Sequence, residues 1–177
     1  MGIVVIGSIF VDIKGFPYDK YIPDGRNSGF IKYIHGGVCR NVAEDIANVE
    51  LRPTFVSIVD DSALGEDVVR KLEKHKVNTD YIQKIPSGMG TWVAVFDEKG
   101  DLAGSISQRP NLLPILDLLE EKGDEIFKDC DAIVLEADID RETVKKVFEF
   151  AKKYDKKIFA VISNMAIAVE KRDFLKQ

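Results

Sequence analysis

Four short and almost continuous apolar runs recur along this chain, and they constrain its fold more than any other feature. They occupy residues 3–6, 54–59, 132–135 and 158–162. Such runs are typical of strands that are buried on both faces of a parallel sheet. Segments with apolar residues at helical spacing lie between them, and this alternation predicts parallel pairing through right-handed crossovers. The sequence therefore predicts an α/β fold with a mainly parallel sheet and flanking helices.

Three amphipathic helices are predicted in these intervening segments. The first follows Gly37, the second is capped by Asp61 or Ser62, and the third is capped by Asp140. Side chains of this type accept hydrogen bonds from free N–H groups at the start of a helix. The apolar stripes should face the sheet. The stripe residues are Val42, Ile46 and Val49 in the first helix, Leu64, Val68 and Leu72 in the second, and Val144, Val147, Phe148 and Ala151 in the third.

Two stretches, residues 14–34 and 91–108, interrupt the alternation of strands and helices. The first contains several prolines and glycines and ends in the run 30–34, and the second consists of two strand-like segments around a turn at residues 97–101. The second pattern is typical of a β-hairpin. We interpret the two stretches as a small second sheet that forms a lid over the carboxyl ends of the main strands. The alternative is an extra edge hairpin without a function.

Charge and composition exclude several functional classes. The 177 residues carry a formal net charge of −5, whereas a nucleic-acid-binding domain normally has a basic footprint. No apolar run reaches membrane-spanning length. Cys39 and Cys130 lack the spacing of a metal site, so free thiols in a reducing cytoplasm are expected. With only two histidines, His35 and His75, neither a histidine-based metal site nor a catalytic triad is predicted.

Polar and glycine residues lie in three separate segments, after two of the predicted strands and at the start of a helix. Asp12 comes shortly after the first strand, Gly36 and Gly37 precede Asn41 at the start of a helix, and Asp138 follows the strand at 132–135. In open α/β sheets, ligands bind outside the carboxyl ends of the strands. Carboxylates and an amide there suit a ligand rich in hydroxyl groups. For each single residue the alternative is a turn or cap residue.

These residues resemble the ribokinase-like, PfkB-type family of carbohydrate and nucleoside kinases along the whole chain. The family opening of strand, glycine and aspartate is similar to residues 7–12, and its Gly-Gly signature is similar to residues 36–43. A later block is similar to Val59-Asp60-Asp61-Ser62-Ala63-Leu64-Gly65. The string Gly-Gly-Val-Cys-Arg-Asn-Val-Ala-Glu resembles the pseudouridine kinase-like branch. The resemblance implies a ribokinase-like fold, of which residues 1–177 form the N-terminal part.

The resemblance also implies a reaction and a set of binding residues. Family members phosphorylate a substrate hydroxymethyl group with ATP and magnesium. By this resemblance Asp12 and Asn41 hold ring hydroxyls, Gly36 and Gly37 let the sugar lie against the backbone, and Asp138 reaches the substrate. Glu136 is the alternative acid on the same strand, and the residues that follow keep the family register for Asp138. Several members dimerise through their lid strands, so a homodimer is expected here.

The sequence departs from the family pattern in one important respect. The family's catalytic aspartate lies in a Gly-Ala-Gly-Asp type motif in a C-terminal half, and no such motif occurs in these 177 residues. We therefore expect a truncated, substrate-binding half without catalytic residues, which binds no ATP tightly and is inactive alone. Smaller departures are Asp60, Glu50 and Lys76 at usual glycines and Ser62 at a usual aspartate.

Two alternatives remain open at this point. One is a non-catalytic, truncated paralogue that binds a sugar or only associates with itself. The other is a dinucleotide-binding domain built on residues 7–10, although the chain lacks a Gly-x-Gly-x-x-Gly string there.

Overall fold

The computed structural model of the protein describes residues 2–163 and 165–173. In chain order the described elements are β1 (Ile3–Ile6), β2 (Phe10–Pro17), β3 (Gly29–Gly36), α1 (Val38–Asn48), β4 (Thr54–Val59), α2 (Ala63–Lys74), β5 (Ile82–Lys84), β6 (Gly90–Phe96), β7 (Leu102–Gln108), α3 (Pro114–Phe127), β8 (Ala132–Glu136), α4 (Arg141–Lys153), β9 (Lys157–Val161) and α5 (Met165–Glu170).

The main sheet has five strands in the order β5-β4-β1-β8-β9, and all its neighbouring strands are parallel. The predicted α/β class with a mainly parallel sheet is confirmed. The apolar runs form strands because both faces of the sheet are covered. In β1, Val4 and Ile6 pack into one core with α3 and α4, whereas Val5 packs into a second core with α1 and α2.

The helices begin where the sequence predicts. Ser62 is the N-cap of α2 and accepts a hydrogen bond from the Gly65 N–H, and Asp140 caps α4 by accepting one from the Thr143 N–H. Two predicted stripe residues are not buried: Val49 is 68% exposed and Leu64 is 39% exposed. Both lie at a helix end, so the core does not reach them. Helix α3 and strand β5 were not predicted.

The two interrupting stretches form a second sheet of four strands, in the order β3-β2-β6-β7, which we call the lid. Strand β2 pairs antiparallel with β3 and parallel with β6, and β6 and β7 form an antiparallel hairpin. The lid begins at Phe10 rather than near residue 14, so Asp12 lies within a lid strand and not in a loop. Because residues 7–10 lead from β1 into this strand, no helix N-terminus follows that turn for a dinucleotide pyrophosphate. The dinucleotide-binding alternative is therefore not supported.

Both cysteines are buried and neither forms a disulfide, and burial raises the pKa of both thiols above the ordinary value. Within the described residues, every helix is too short or too polar to span a bilayer.

Glu50 and Lys76 stand where the family that the sequence resembles usually has glycine, and both keep a left-handed backbone. Glu50 after α1 has φ 66° and Lys76 after α2 has φ 64°. At Lys76 the backbone closes α2, since its N–H donates to the Glu73 carbonyl at 2.8 Å and the Val77 N–H donates to the Leu72 carbonyl at 3.1 Å. This pair of bonds is a Schellman motif, which favours glycine at the position of Lys76.

Replacing Lys76 by glycine should stabilise the protein by about 0.5–1 kcal/mol. A side chain in the left-handed region costs about 1–2 kcal/mol, and the greater freedom of glycine in the unfolded chain offsets about 0.5–1 kcal/mol of the gain. Thermal unfolding measures the difference. Lys76→Ala is the matched control, because it shortens the side chain and keeps the Cβ atom; an equal gain from alanine would contradict the backbone explanation.

Candidate functional site

A cleft of about 700 Å³ lies between the carboxyl ends of the main-sheet strands and one face of the lid. All five residues predicted for the site line it: Asp12, Gly36, Gly37, Asn41 and Asp138. The other lining residues are Ser8, Phe10, Val38, Trp92, Ser107, Arg109, Pro110, Asn111, Leu112, Leu113, Glu136, Ile139, Asp140 and Ser163.

The lid contributes a polar and aromatic wall to the cleft. Asp12 on β2 is in register with Trp92 on β6, and Trp92 is in register with Ser107 on β7. Side chains in register on neighbouring strands lie on the same face of a sheet, so these three point together into the cleft. The Asp12 carboxylate is 20% exposed, and Lys14 Nζ lies 3.4 Å from its Oδ2 atom.

The pair Gly36 and Gly37 lets the turn between β3 and α1 approach the segment at residues 8–12 closely. A Cβ atom on Gly36 would lie 2.6 Å from Asp12 Oδ1, so only a glycine leaves the carboxylate its position. Gly37 has φ 98°, and a Cβ atom there would lie 2.5 Å from the Ser8 carbonyl oxygen. Gly37 is also the N-cap of α1 and supplies no side-chain hydrogen bond. The first N–H groups of α1 therefore remain available near the cleft.

Asn41 lies in the first turn of α1. Its backbone N–H donates to the Gly37 carbonyl oxygen at 2.9 Å, and the residue is exposed. Its amide can both donate and accept hydrogen bonds. Asn41 thus adds a neutral polar group to the cleft that Asp12 also lines.

Asp138 is the cleft residue whose carboxylate has an oxygen without a hydrogen-bond partner among the residues that the structure describes. Its side chain is fully buried. The Oδ2 atom accepts hydrogen bonds from the Ser163 N–H at 3.2 Å and from the Ser163 hydroxyl, and Arg109 Nη2 lies 4.0 Å away. Among the buried side-chain atoms of the described residues, Asp138 Oδ1 is the one without a hydrogen-bond partner. Buried polar atoms normally have partners, so this unpartnered oxygen marks Asp138 as a candidate ligand-binding residue.

Glu136, the alternative acid, also lines the cleft and has its own partners. Its Oε2 atom accepts from the Ser8 N–H at 2.8 Å, and the Ser8 hydroxyl lies 2.9 Å from both Oε atoms. Burial raises the pKa of Glu136 above its ordinary value, an effect that the hydrogen bonds from Ser8 oppose and the negative charge of Asp138 increases. Glu136 is therefore bound to protein groups, whereas Asp138 keeps one oxygen free.

Acidic side chains dominate the charge of the cleft. Asp12, Glu136, Asp138 and Asp140 line it, and Arg109 is the basic residue among its lining groups. The Asp140 carboxylate is occupied by capping α4, through the Thr143 N–H at 2.8 Å and the Thr143 hydroxyl at 2.6 Å. No group of three His, Cys, Asp or Glu side chains in the described residues is arranged to hold a metal ion.

Sequence reasoning did not identify Ser8, Ser107, Arg109 or Ser163 as lining residues. Arg109 had a local signal, because Arg109-Pro110-Asn111 interrupts the apolar pattern directly after the lid hairpin. Ser163 follows β9 at the same carboxyl edge as Asp138, so the strand-end argument that identified Asp138 also applies to it.

A family model described as pfkB family carbohydrate kinase matches residues 2–174. A guanosine-inosine kinase from Exiguobacterium acetylicum is 29% identical over 175 residues, which are 98% of this chain and 58% of that protein. A pseudouridine kinase from Escherichia coli K12 is 24% identical over 106 residues, which cover 59% of this chain and 34% of the relative.

The fold has close counterparts among solved structures. An Arabidopsis thaliana ribokinase, solved with ribose and ATP, superimposes with a TM-score of 0.73 at 20% identity, covering 89% of this chain and 52% of that one. The likeness shows a ribokinase-like fold. The chain thus spans little more than half the length of the guanosine-inosine kinase and of this ribokinase.

Proposed function

Because the chain belongs to the pfkB family of carbohydrate kinases, we propose that its cleft binds a neutral sugar or nucleoside that is phosphorylated on a hydroxymethyl group. The observation that carries the proposal is that Asp12, Asn41 and Asp138 line one cleft, and that Asp138 Oδ1 has no hydrogen-bond partner in the described part of the protein. Three polar groups from three segments match the several hydroxyls of a furanose ring. The guanosine-inosine and pseudouridine kinases among the relatives favour a ribose or a ribonucleoside.

Each residue has a defined part in this proposal. The Asp12 carboxylate accepts hydrogen bonds from two ring hydroxyls, and Asn41 donates to one hydroxyl and accepts from another. The free Asp138 oxygen accepts from a further hydroxyl. Gly36 and Gly37 allow the ring to lie against the backbone, and the Trp92 side of the lid covers it and excludes water.

The charge of the cleft supports a neutral ligand. Asp12 and Asp138 would both lie near the bound ring, where Lys14 lies 3.4 Å from Asp12 and Arg109 lies 4.0 Å from Asp138. Glu136 and Asp140 add two further acidic groups to the lining. An anionic sugar acid or sugar phosphate would experience repulsion and would lose hydration without compensation. A neutral sugar or nucleoside does not incur this cost.

The transfer of phosphate is a separate part of the proposal. In the family, ATP with magnesium supplies the phosphoryl group, and a helix N-terminus stabilises the transferring charge. The 177 residues contain no Gly-Ala-Gly-Asp type motif, and no described group of acidic side chains is arranged for a metal ion. We assign no nucleotide site to these residues, and we propose that this chain provides the substrate-binding part of the kinase.

We expect the 177-residue chain to bind D-ribose or guanosine in calorimetry and to release no ADP from ATP in a coupled assay with either compound. Ribose 5-phosphate serves as the anionic comparison and should bind more weakly than ribose. Absence of binding by neutral sugars and nucleosides would contradict the proposed function. Sugar-dependent ADP release would contradict only the proposal that this chain binds the substrate without transferring phosphate to it.

The face of the lid opposite the cleft favours a second property, self-association. Tyr33, Val93 and Ile106 are in register through Ile13, and Ile31 and Val95 are in register through Gly15. Their exposed fractions are 62% for Ile31 and Tyr33, 41% for Val93, 39% for Val95 and 76% for Ile106. An apolar sheet face of this kind marks an interaction surface, and we propose that two copies associate through it as a homodimer. A truncated paralogue without catalytic activity would retain both this surface and the cleft.

Light scattering at micromolar concentration should show a dimer, and the pair Ile31→Lys and Ile106→Lys should convert it to a monomer. The matched control is Val49→Lys, which replaces a residue of similar exposure at the end of α1 and should leave the dimer intact. A wild-type monomer would contradict the homodimer.

A further inference from the structure

A buried arginine lies next to the glycine pair of the cleft. Arg40 is in the first turn of α1, and its side chain is only 6% exposed. Burying a guanidinium group is costly unless partners compensate it, and the positive end of the helix dipole adds to the cost at this position. The buried guanidinium of Arg40 therefore needs specific partners, and the identity of these partners shows which parts of the fold Arg40 holds in place.

The two ends of the guanidinium contact different parts of the fold. Nη1 donates to the His35 carbonyl oxygen at 2.9 Å, and Nη2 donates to the carboxylate of Glu44 one turn along α1. Burial alone would raise the pKa of Glu44, yet the hydrogen bond and charge of Arg40 hold it below its ordinary value. Glu44 is therefore ionised at neutral pH and compensates the buried cation.

Glu44 also connects this pair to α2. Its Oε1 atom lies 3.6 Å from Lys71 Nζ and 3.5 Å from His75 Nε2. Arg40 and Glu44 thus belong to a network of charged side chains that joins α1 to α2.

His35 is the lid residue that Arg40 holds. It is the penultimate residue of β3, and only Gly37 separates the end of that strand from α1. The imidazole ring of His35 makes a second contact with the main domain, because its Nε2 atom lies 3.1 Å from Asp67 Oδ2 on α2. The backbone and the side chain of His35 are therefore both anchored to helices of the main domain at the junction with the lid.

We propose that Arg40 is a positioning residue for the cleft. By holding the His35 carbonyl, Arg40 sets the angle between β3 and α1. This angle in turn fixes the position of Gly36 and of the lid wall that carries Asp12. Asn41 is the next residue of the same helical turn. Arg40 therefore fixes the separation between the lid wall and α1 that the ligand must span. This role rests on the proposed binding of a sugar or nucleoside in the cleft.

The test compares Arg40→Met with the wild-type 177-residue chain. Calorimetry with D-ribose and with guanosine should show an affinity that is about 10- to 100-fold lower, because a displaced lid wall weakens the charge-assisted hydrogen bonds from the ligand to Asp12. Arg52→Met is the matched control, since Arg52 is exposed and lies outside this network; its affinity should equal that of the wild type.

Two readouts without a ligand separate positioning from general destabilisation. Trp92 is the single tryptophan of the chain and lies on the lid wall, so its emission should shift in Arg40→Met. Amide hydrogen exchange should accelerate in residues 31–41 and remain unchanged in β8 and α4. Equal acceleration throughout the chain, or unchanged exchange and Trp92 emission, would overturn the positioning role.

The remaining outcomes are also decisive. If Arg40→Met does not fold, Arg40→Lys keeps the charge but not the two-ended contact, and it should show the same local exchange and weaker binding. If the wild type binds neither ribose nor guanosine, the proposed function fails, while the exchange and emission data still decide what Arg40 holds. If the wild type binds and Arg40→Met binds equally well, the proposed function stands and the positioning role is wrong.

Discussion

Replacing Asp12 by asparagine is expected to weaken the binding of ribose or guanosine by about 10- to 100-fold, with little change in the unfolding temperature. A hydrogen bond to a charged group contributes about 1.5–3 kcal/mol, and each 1.4 kcal/mol is about tenfold in affinity. The stability should hardly change, because the protein partner of the carboxylate is Lys14 at 3.4 Å. A partly exposed ion pair of that kind contributes at most about 1 kcal/mol.

Asn41→Ala should weaken binding by about tenfold, since it removes one neutral donor and one neutral acceptor. Alanine is the strongest helix former, so α1 should not be destabilised. Asp19→Asn is the matched control for Asp12, because Asp19 is exposed on the lid turn and does not line the cleft. Calorimetry gives the affinities and thermal unfolding gives the stabilities. If Asp12→Asn and Asn41→Ala both unfold, these two residues are structural and do not act mainly in ligand binding.

The main sheet could be predicted because its signal is local. The four apolar runs are strands that need cover on both faces, and β1 and β4 occupy the predicted residues. The carboxyl ends of parallel strands meet at one edge, and this geometric rule accounts for Asp138 after β8. Asp12 and Gly36 reach the same cleft through lid strands, and Gly37 and Asn41 reach it at the start of α1.

Helix α3 carries mixed local signals: Pro114 at its start and its apolar spacing favour a helix, whereas two residues oppose one. Leu113 occupies the N-cap position and makes no side-chain hydrogen bond. Gly123 lies within the helix, where glycine is unfavourable. The reason is tertiary: a Cβ atom on Gly123 would lie 2.2 Å from the Phe150 ring of α4. Close helix packing thus selects a residue that the local sequence would assign to a turn.

The start of the lid was misplaced for a similar reason. Residues 10–13 follow Gly7 and Ser8 closely, so they resemble a loop after β1. They form a strand because Phe10 pairs with both Gly36 and Gly90, which are distant in sequence. The unpartnered state of Asp138 Oδ1 likewise depends on a distant residue, because Ser163 donates hydrogen bonds only to the other carboxylate oxygen, Oδ2. Contacts of this range have no signature in a single sequence.

Gly37→Ala is expected to destabilise the protein by about 3–5 kcal/mol, which is a large part of the about 5–15 kcal/mol that stabilises a typical domain. Two costs add at this residue. Its backbone has φ 98° and ψ 123°, a conformation that costs residues other than glycine about 1–3 kcal/mol. The new Cβ atom would also lie 2.5 Å from the Ser8 carbonyl oxygen and 3.1 Å from Ile9 Cα. These are backbone atoms that cannot turn aside as a side chain can, and such overpacking costs about 1–3 kcal/mol.

Gly104→Ala is the matched control, because nothing lies within 4 Å of a Cβ atom at that position. Its free energy of unfolding in urea should stay within about 0.5 kcal/mol of the wild type. Any folded fraction of Gly37→Ala should also lose affinity for ribose, since the turn that joins the lid to α1 must shift to admit the methyl group. Equal stability of the two variants would show that the turn yields easily, and that the glycine pair does not fix the lid against the helix.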